Sequence, residues 1–307
     1  MHAPALVDKP VVDMLLHSVA KEHPRYLAHE YLHSAWEPRY FIDVAAEMAK
    51  ADLTYVGTAT LFAADERFTV GPDHKALLDA LPTRVEREFI KDYLLDANFR
   101  RDVYSRGARV LAPQERDAEL GKRAFALRVN ASAVNYICQV GLAEVGIESP
   151  AAHAIVNALA AGAKTVAEIM SAPAMAHVPF AIVYDMLLIL AISEQITPVE
   201  RTRGTATRFN AVVRANNYCS NALASPLGVG IELSLPEMML ATGATGDNLE
   251  EQVAWLLGEY ARINKPVQDA ERQTLVGDAA TAWLRTITSA YLQRKHNALQ
   301  TMGIVAP

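Results

Sequence analysis

Apolar residues recur at helical spacing through most of this chain, and that periodicity is the feature that most restricts its fold. Between residues 40 and 50, for example, Phe41, Val44, Ala45 and Met48 fall on one helical face. A pattern of this kind predicts a mainly α protein in which helices bury one side. The other predicted helices cover residues 11–19, 25–36, 84–96, 151–161, 179–193, 208–223, 250–263 and 269–302.

Short β-prone segments interrupt the helices, so the expected fold class is mainly α (α+β). Residues 53–57 are predicted to form a strand or an extended connector. A small antiparallel sheet or β-rich linker is predicted from residues 125–129, 134–138 and 142–145. We place a domain boundary after this element, near Ser149 and Pro150. The predicted domains are therefore residues 1–148, helical with a small β element, and residues 149–307.

The second predicted domain begins with the element order of a winged-helix module. A helix ending before Gly162 is followed by a short helix whose N-cap is Thr165, with Glu168 at capping-box spacing. A long apolar helix and an extended segment at 196–199 complete the order. However, no Lys or Arg occurs between residues 165 and 200, so this module lacks the cations that contact phosphates and bases.

Composition excludes several classes of protein. The chain has 307 residues, 51% of them hydrophobic, and 29 Lys+Arg against 35 Asp+Glu, a balance that argues against nucleic-acid binding. Its longest aliphatic stretch, residues 186–192, falls far short of the roughly 20 residues of a membrane span. The N-terminus lacks a secretory pattern, and Cys138 and Cys219 are expected to be two buried thiols. We therefore expect a cytoplasmic protein without membrane or nucleic-acid partners.

The sharpest short motif is H-E-x-x-H, formed by His29, Glu30 and His33. On a helix its two imidazoles share one face and can bind zinc while the glutamate activates a water molecule. A catalytic zinc also needs a third protein ligand. Of the nearby carboxylates, Glu37 directly precedes the helix-breaking Pro38 and Glu47 lies beyond it, and no third histidine follows at the spacing of the extended zincin pattern. A zinc-dependent hydrolase is therefore the alternative function, and structural use of the motif is favoured.

Two further patterns are weaker. The lone G-x-G at Gly228 and Gly230 follows no clear strand and lies in no βαβ unit, so a loop is favoured over a nucleotide or S-adenosylmethionine site. A local cluster of arginines is either a solvated surface or a contact for an anion or an acidic partner. Its members are Arg100, Arg101, Arg106 and Arg109.

YLAHEYL at residues 26–32 is the most specific of several segments that together resemble a known family, the predicted methyltransferase regulatory domain of bacterial class I methyltransferases. The remaining stretches of the first half are 37–41, 53–57, 92–94, 98–102 and 123–129. The second half is similar to the C-terminal winged-helix region of bacterial protein lysine methyltransferases, on residues 165–169, 224–228 and the terminal Leu-rich helix.

The resemblance implies a non-catalytic regulatory or substrate-recognition part of an S-adenosylmethionine-dependent methyltransferase. The methyl-donor domain expected before it is not among these residues, so S-adenosylmethionine is expected only on a catalytic partner domain or subunit. A protein substrate and a second copy of the chain are the other expected partners. We hypothesise that an aromatic patch, with a polar pair at its edge, forms or supports the contact with the catalytic domain. Its residues are Tyr26, His29, Glu30, Tyr31, Trp36, Tyr40 and Phe41.

Overall fold

A computed structural model describes residue 19 and residues 24–30, 34, 37–95, 97, 99–140, 143–200, 206–244 and 248–305. It divides into two compact units. Unit 1 consists of Met1–Gly57 and Pro72–Ala108, and unit 2 consists of Thr58–Gly71 and Arg109–Pro307. The domain boundary predicted at 148/149 lies inside unit 2, and as a statement about domains it stays a prediction.

Helices predominate, and short strands lie between them, which confirms the expected mainly α fold class. The helices are α1 (Pro24–Glu30), α2 (Phe41–Lys50), α3 (Leu61–Ala64), α4 (Glu66–Thr69), α5 (Pro72–Asp79), α6 (Arg84–Leu94), α7 (Pro113–Gly121), α8 (Pro150–Ala160), α9 (Val166–Met170), α10 (Phe180–Ile192), α11 (Ala206–Ala215), α12 (Leu235–Gly243), α13 (Leu249–Arg262), α14 (Gly277–Arg294) and α15 (His296–Thr301). The strands are β1 (Thr54–Thr58), β2 (Asp102–Ser105), β3 (Ala124–Leu127), β4 (Ile137–Val140), β5 (Ala143–Gly146), β6 (Lys164–Thr165), β7 (Ile196–Val199), β8 (Ala222–Ser225), β9 (Val229–Glu232), β10 (Val267–Gln268) and β11 (Thr274–Leu275).

Unit 1 contains α2, α5 and α6 beside the β1–β2 pair, and its small core consists of Phe41, Ala45 and Tyr55. Helix α6 begins with a capping box. The backbone N–H of Glu86 donates to Thr83 Oγ1 at 3.2 Å, and the Glu86 carboxylate accepts from the Thr83 N–H at 3.0 Å. Reciprocal bonds of this kind satisfy two N–H groups that the first turn leaves unpaired.

The buried face of α6 differs from the one that the apolar pattern predicts. Phe89, Ile90, Tyr93 and Leu94 are expected to face inward, whereas Tyr93 is exposed and the fully polar Glu88 is buried. The reason is electrostatic, since the charged side chains on that face find partners inside unit 1 that offset their desolvation.

The first core of unit 2 surrounds a three-stranded sheet of order β6-β3-β7. Strand β3 is antiparallel to both neighbours, with Ala124 opposite Thr165 and Leu127 opposite Ile196. Helices α8, α9 and α10 bury their apolar faces in this core. The predicted order of helix, short helix, long helix and strand is present. The middle strand of the sheet, β3, precedes the predicted winged-helix module in the sequence, so the winged-helix assignment stays a prediction.

The second core of unit 2 consists of the helices from α11 onward and the β8–β9 hairpin. The helix predicted over 208–223 ends at Ala215, because Asn217 and Tyr218 adopt left-handed backbone angles that no helix can continue. The helix predicted from residue 269 begins only at Gly277, since the β10–β11 pair precedes it. The G-x-G is part of the β8–β9 hairpin, with Gly228 in its turn at φ 76°.

Two further sequence predictions have definite outcomes. Cys138 is buried but Cys219 is exposed, so the expectation of two buried thiols is wrong for Cys219. Within the described ranges, no helix is both long and apolar enough to cross a membrane. The helix predicted at residues 11–19 lies outside the described residues except for Val19.

Candidate functional site

Three aromatic side chains form a cluster on unit 1, which we call the aromatic face; two of its rings are exposed and the third is partly buried against the core. Tyr40 precedes α2 as its N-cap, while Phe89 and Tyr93 lie one turn apart on α6. The ring centroids are 6.0 Å apart for Tyr40 and Phe89, 6.4 Å for Tyr40 and Tyr93, and 5.3 Å for Phe89 and Tyr93. These are the offset and edge-to-face distances at which aromatic rings attract one another.

Two rings of the aromatic face pack in this cluster and yet remain largely exposed to solvent. Tyr40 is 62% exposed and Tyr93 is 60% exposed. Large rings in a contiguous exposed cluster are characteristic of protein contact surfaces, because they bury much area at little entropic cost. The predicted patch includes Tyr40. Phe89 packs against the core of unit 1, as the apolar pattern of α6 predicts, whereas the inward position predicted for Tyr93 is wrong.

The other members of the predicted patch differ in burial, and some of them lie outside the described residues. Tyr26 and His29 are exposed on α1, and Phe41 is 4% exposed in the core of unit 1. Phe41 therefore can support a surface contact only from beneath. Trp36 and Tyr31 lie outside the described residues, and so does the side chain of Glu30.

Directly beneath this region, Arg100 occupies the centre of a largely buried ion cluster. Its Nε and Nη2 atoms donate to the two carboxylate oxygens of Asp102, each at 2.9 Å. Nη2 also lies 3.1 Å from Glu88 Oε2 and 3.1 Å from the Tyr55 hydroxyl oxygen, and Nη1 is hydrogen-bonded to Asp92. One guanidinium thus joins α6, β1 and β2.

The cluster is completed by a second cation and by ring contacts. The Lys91 ammonium pairs with Glu88, one turn earlier on α6, and Lys91 is only 2% exposed. The Tyr55 hydroxyl donates to Glu88 Oε2 at 3.0 Å. The Arg100 guanidinium carbon lies 4.0 Å from the centroid of the Phe41 ring, within cation–π range. This cluster supports the elements that carry the aromatic face.

Ionisation equilibria in the cluster follow from these contacts. Burial raises the pKa of Glu88, but hydrogen bonds from Lys91, Arg100 and Tyr55 outweigh burial and leave that pKa below its ordinary value. Burial raises the pKa of Asp92 above its ordinary value even though Arg100 opposes the shift. Burial and the Glu88 charge both raise the pKa of the Tyr55 phenol. Arg100 is consequently held as a cation among carboxylates.

The four arginines of the predicted anion cluster differ in their partners and exposure. The N–H groups of Arg100 are directed to carboxylates of its own unit. Arg106 donates to the Ala51 carbonyl oxygen at 3.1 Å, and Arg101 is exposed. Arg109 belongs to unit 2, where it pairs with Glu115 at 2.8 Å. An anion or acidic-partner contact stays a prediction for these residues.

Sequence reasoning did not identify Glu88 and Lys91 as members of a site. Oppositely charged residues three positions apart usually mark a solvent-exposed helix surface. Here both are buried, because Arg100 and Tyr55 approach from other elements. The signal that could have indicated this is the excess of carboxylates around Arg100.

Only part of the H-E-x-x-H motif lies among the described residues. His29 lies on α1 and is exposed, whereas His33 lies outside the described residues. Among the residues that the structure describes, no three His, Cys, Asp or Glu side chains are grouped to hold a metal ion. The zinc alternative therefore stays a prediction.

Comparisons with known proteins agree with the resemblance. Residues 23–106 match the family model of the predicted methyltransferase regulatory domain. The curated protein sll1526 of a Synechocystis strain is 28% identical over 258 residues, a match that covers 80% of this chain and 51% of that protein. The chain thus spans about half the length of this relative.

Solved structures show a related fold. The structure of PKMT2 from Rickettsia typhi matches 94% of this chain and 65% of its own, with a TM-score of 0.52 and 12% identity. The structure of PKMT2 from Rickettsia typhi in complex with AdoHcy matches 93% of this chain and 62% of its own, with a TM-score of 0.53 and 12% identity. The chain therefore carries a match to the methyltransferase regulatory family over residues 23–106, and its fold is similar to that of PKMT2.

Proposed function

We propose that this chain is the regulatory and substrate-recognition part of an S-adenosylmethionine-dependent methyltransferase. It would act with a catalytic domain or subunit that holds the methyl donor. The observation that carries the proposal is the exposed aromatic face, whose residues Tyr40 and Tyr93 lie within the segment that matches the regulatory family. The complex of PKMT2 with AdoHcy supports the expected cofactor of the partner.

The aromatic face is the surface that we assign to the catalytic partner. Aromatic side chains are enriched among residues that dominate binding energy, and they act best when the surrounding surface excludes water. The ion cluster below holds α6 and β2 in place, so the rings are presented on a rigid support. Rigid presentation lowers the entropic cost of association. Unit 2 would present a separate surface to a protein substrate.

Calorimetric titration with the methyltransferase catalytic domain encoded in the source genome tests the assignment. Tyr40→Ala and Tyr93→Ala should each weaken association roughly tenfold, the loss of one aromatic anchor. Leu77→Ala is the matched control, because Leu77 is an exposed apolar residue of unit 1 outside the aromatic face. Equal affinities for all three variants and the unmodified chain would remove the aromatic face from the interface.

A second titration tests the division of labour itself. The isolated 307-residue chain is mixed with S-adenosylmethionine, and no saturable heat is expected. Tight binding of the methyl donor by this chain alone would contradict the proposed non-catalytic role, whatever the aromatic variants show.

A further inference from the structure

Unit 2 contains a large cavity that the proposed function does not use. Its volume is about 1360 Å³, and its walls come from α11, α12, α13 and the segment from Tyr291 to Val305. Small-molecule sites in proteins usually measure roughly 300–1,000 Å³, so this space can hold a whole organic ligand. Much of the wall is apolar, with Ala211, Leu240 and Leu292 among the lining residues.

The charged side chains in the wall of the cavity are basic. Arg214 and Arg262 line it, and none of the lining residues that the structure describes is Asp or Glu. One buried carboxylate, Glu259, lies behind the two arginines and is bonded mainly to Arg262, at 2.8 and 2.9 Å. The Nε atom of Arg214 is 3.7 Å from Glu259. Two cations thus share one anion, and the wall keeps an excess positive charge.

Arg214 is held in position at this wall. Its Nη1 atom lies 3.3 Å from the Thr242 carbonyl oxygen, and its guanidinium carbon lies 5.7 Å from the centroid of the Trp255 ring. A Cβ atom at Gly243 would come within 2.5 Å of that carbon, so the guanidinium occupies space that only a glycine leaves open. This packing positions the charge without a second carboxylate to neutralise it.

Two polar atoms of cavity-lining residues lack partners. The Tyr291 hydroxyl and His296 Nδ1 make no hydrogen bond within the described part of the chain, although Tyr291 is only 2% exposed. The two rings contact each other edge to face at 5.7 Å. Buried polar groups without partners cost free energy, but both atoms are closed off from the open space of the cavity and are not assigned to the ligand.

We propose that this cavity is a binding site for a small organic anion with an apolar body. The anionic group would pair with the Arg214 guanidinium, and the apolar body would lie along the alanine and leucine wall. Arginine suits this role because its planar fork bonds a carboxylate through two parallel N–H groups.

The simplest probe of this chemistry is decanoate, which combines a carboxylate with an apolar chain. Isothermal titration of the full chain with decanoate should show saturable binding of one molecule. Decanol has the same chain without the charge, and inorganic phosphate has the charge without the chain. Both should bind at least tenfold more weakly than decanoate, or not at all.

Two variants test the role of Arg214. Arg214→Met removes the charge, and Gly243→Ala displaces the guanidinium while retaining it. Each should weaken decanoate binding about tenfold, which corresponds to about 1.4 kcal/mol. The matched control is Arg285→Met, because Arg285 pairs with Glu250 outside the cavity lining. Circular dichroism checks that each variant remains folded.

Three results would overturn the proposal. The first is the absence of saturable decanoate binding to the unmodified chain. The second is equal binding of decanol and decanoate, which would indicate an apolar pocket without an anion subsite. The third is an unchanged affinity in both folded variants at Arg214 and Gly243. None of these outcomes depends on whether the chain acts with a methyltransferase.

Discussion

Replacement of Arg100 by Met is the most demanding test of the physical account of unit 1. Arg100 is the cation shared by Glu88, Asp92 and Asp102, and the variant removes it from all three carboxylates while Lys91 still pairs with Glu88. Removing one partner of a buried ion pair typically costs about 3–5 kcal/mol. The side chains here are 9–18% exposed, so we expect the lower end, about 3 kcal/mol.

Hydrogen exchange measured by mass spectrometry provides the assay, because it reports opening of unit 1 separately from unit 2. A loss of about 3 kcal/mol corresponds to roughly 150-fold faster exchange for amides of α6 and β2. The control is Arg109→Met. Its pair with Glu115 is solvent-exposed and belongs to unit 2, so the exchange of α6 should not change.

The pH dependence has a definite sign. The pKa of Glu88 lies below its unfolded value near 4.3, so its contribution to stability is present above that pH and is lost as the pH falls. Without Arg100 the Glu88 carboxylate loses a donor and its pKa must rise. The difference between the variant and the unmodified chain should therefore shrink between pH 7 and pH 4. A penalty under about 1 kcal/mol at pH 7, or one that grows on acidification, would refute this reasoning.

Three further predictions concern unit 2. Leu187→Ala should cost about 2–5 kcal/mol in urea unfolding followed by tryptophan fluorescence, because Leu187 is fully buried; a change below about 1 kcal/mol would contradict its core position. Thr165→Ala should cost about 1 kcal/mol in the same assay through loss of the capping box with Glu168, and unchanged stability would show that the cap is dispensable. Hydrogen bonds from Arg262 lower the pKa of Glu259, so the stability that this carboxylate supplies is present above its pKa in the unfolded chain and should be lost on acidification. Glu259→Gln should make stability depend less on pH in this range, and parallel pH curves for the variant and the unmodified chain would contradict this role of Glu259.

The sequence predicted the helices best where their ends are marked by local bonds. The start of α6 at Thr83 and of α9 at Thr165 both follow from a hydroxyl and a glutamate three residues apart. The predicted helices at 40–50, 179–193 and 250–263 agree with α2, α10 and α13 to within one residue or so at each end. Each depends on contacts within one or two turns.

Predictions failed where a distant element supplied the decisive contact. The helix expected from residue 269 gives way to the β10–β11 pair, in which Val267 faces Leu275. Strand β3 was grouped with the following segments, yet its partners are β6 and β7. Local propensity does not report strand pairing across tens of residues, because the competing partners are similar in composition.

For the candidate sites too, the sequence predicted some features and tertiary contacts decided the others. The sequence alone indicated that an aromatic-rich segment near Tyr40 forms a surface, since its residue types favour interfaces. Only the tertiary structure decided that Phe41 turns inward, that Tyr93 joins Tyr40 outside, and that Glu88 is buried beside Arg100. A helix can have several faces of comparable polarity, and the face that becomes buried is the one that other elements pack against. The positions of the helices were thus determined by residues adjacent in the sequence. The sites were determined by contacts between elements that are far apart in the chain.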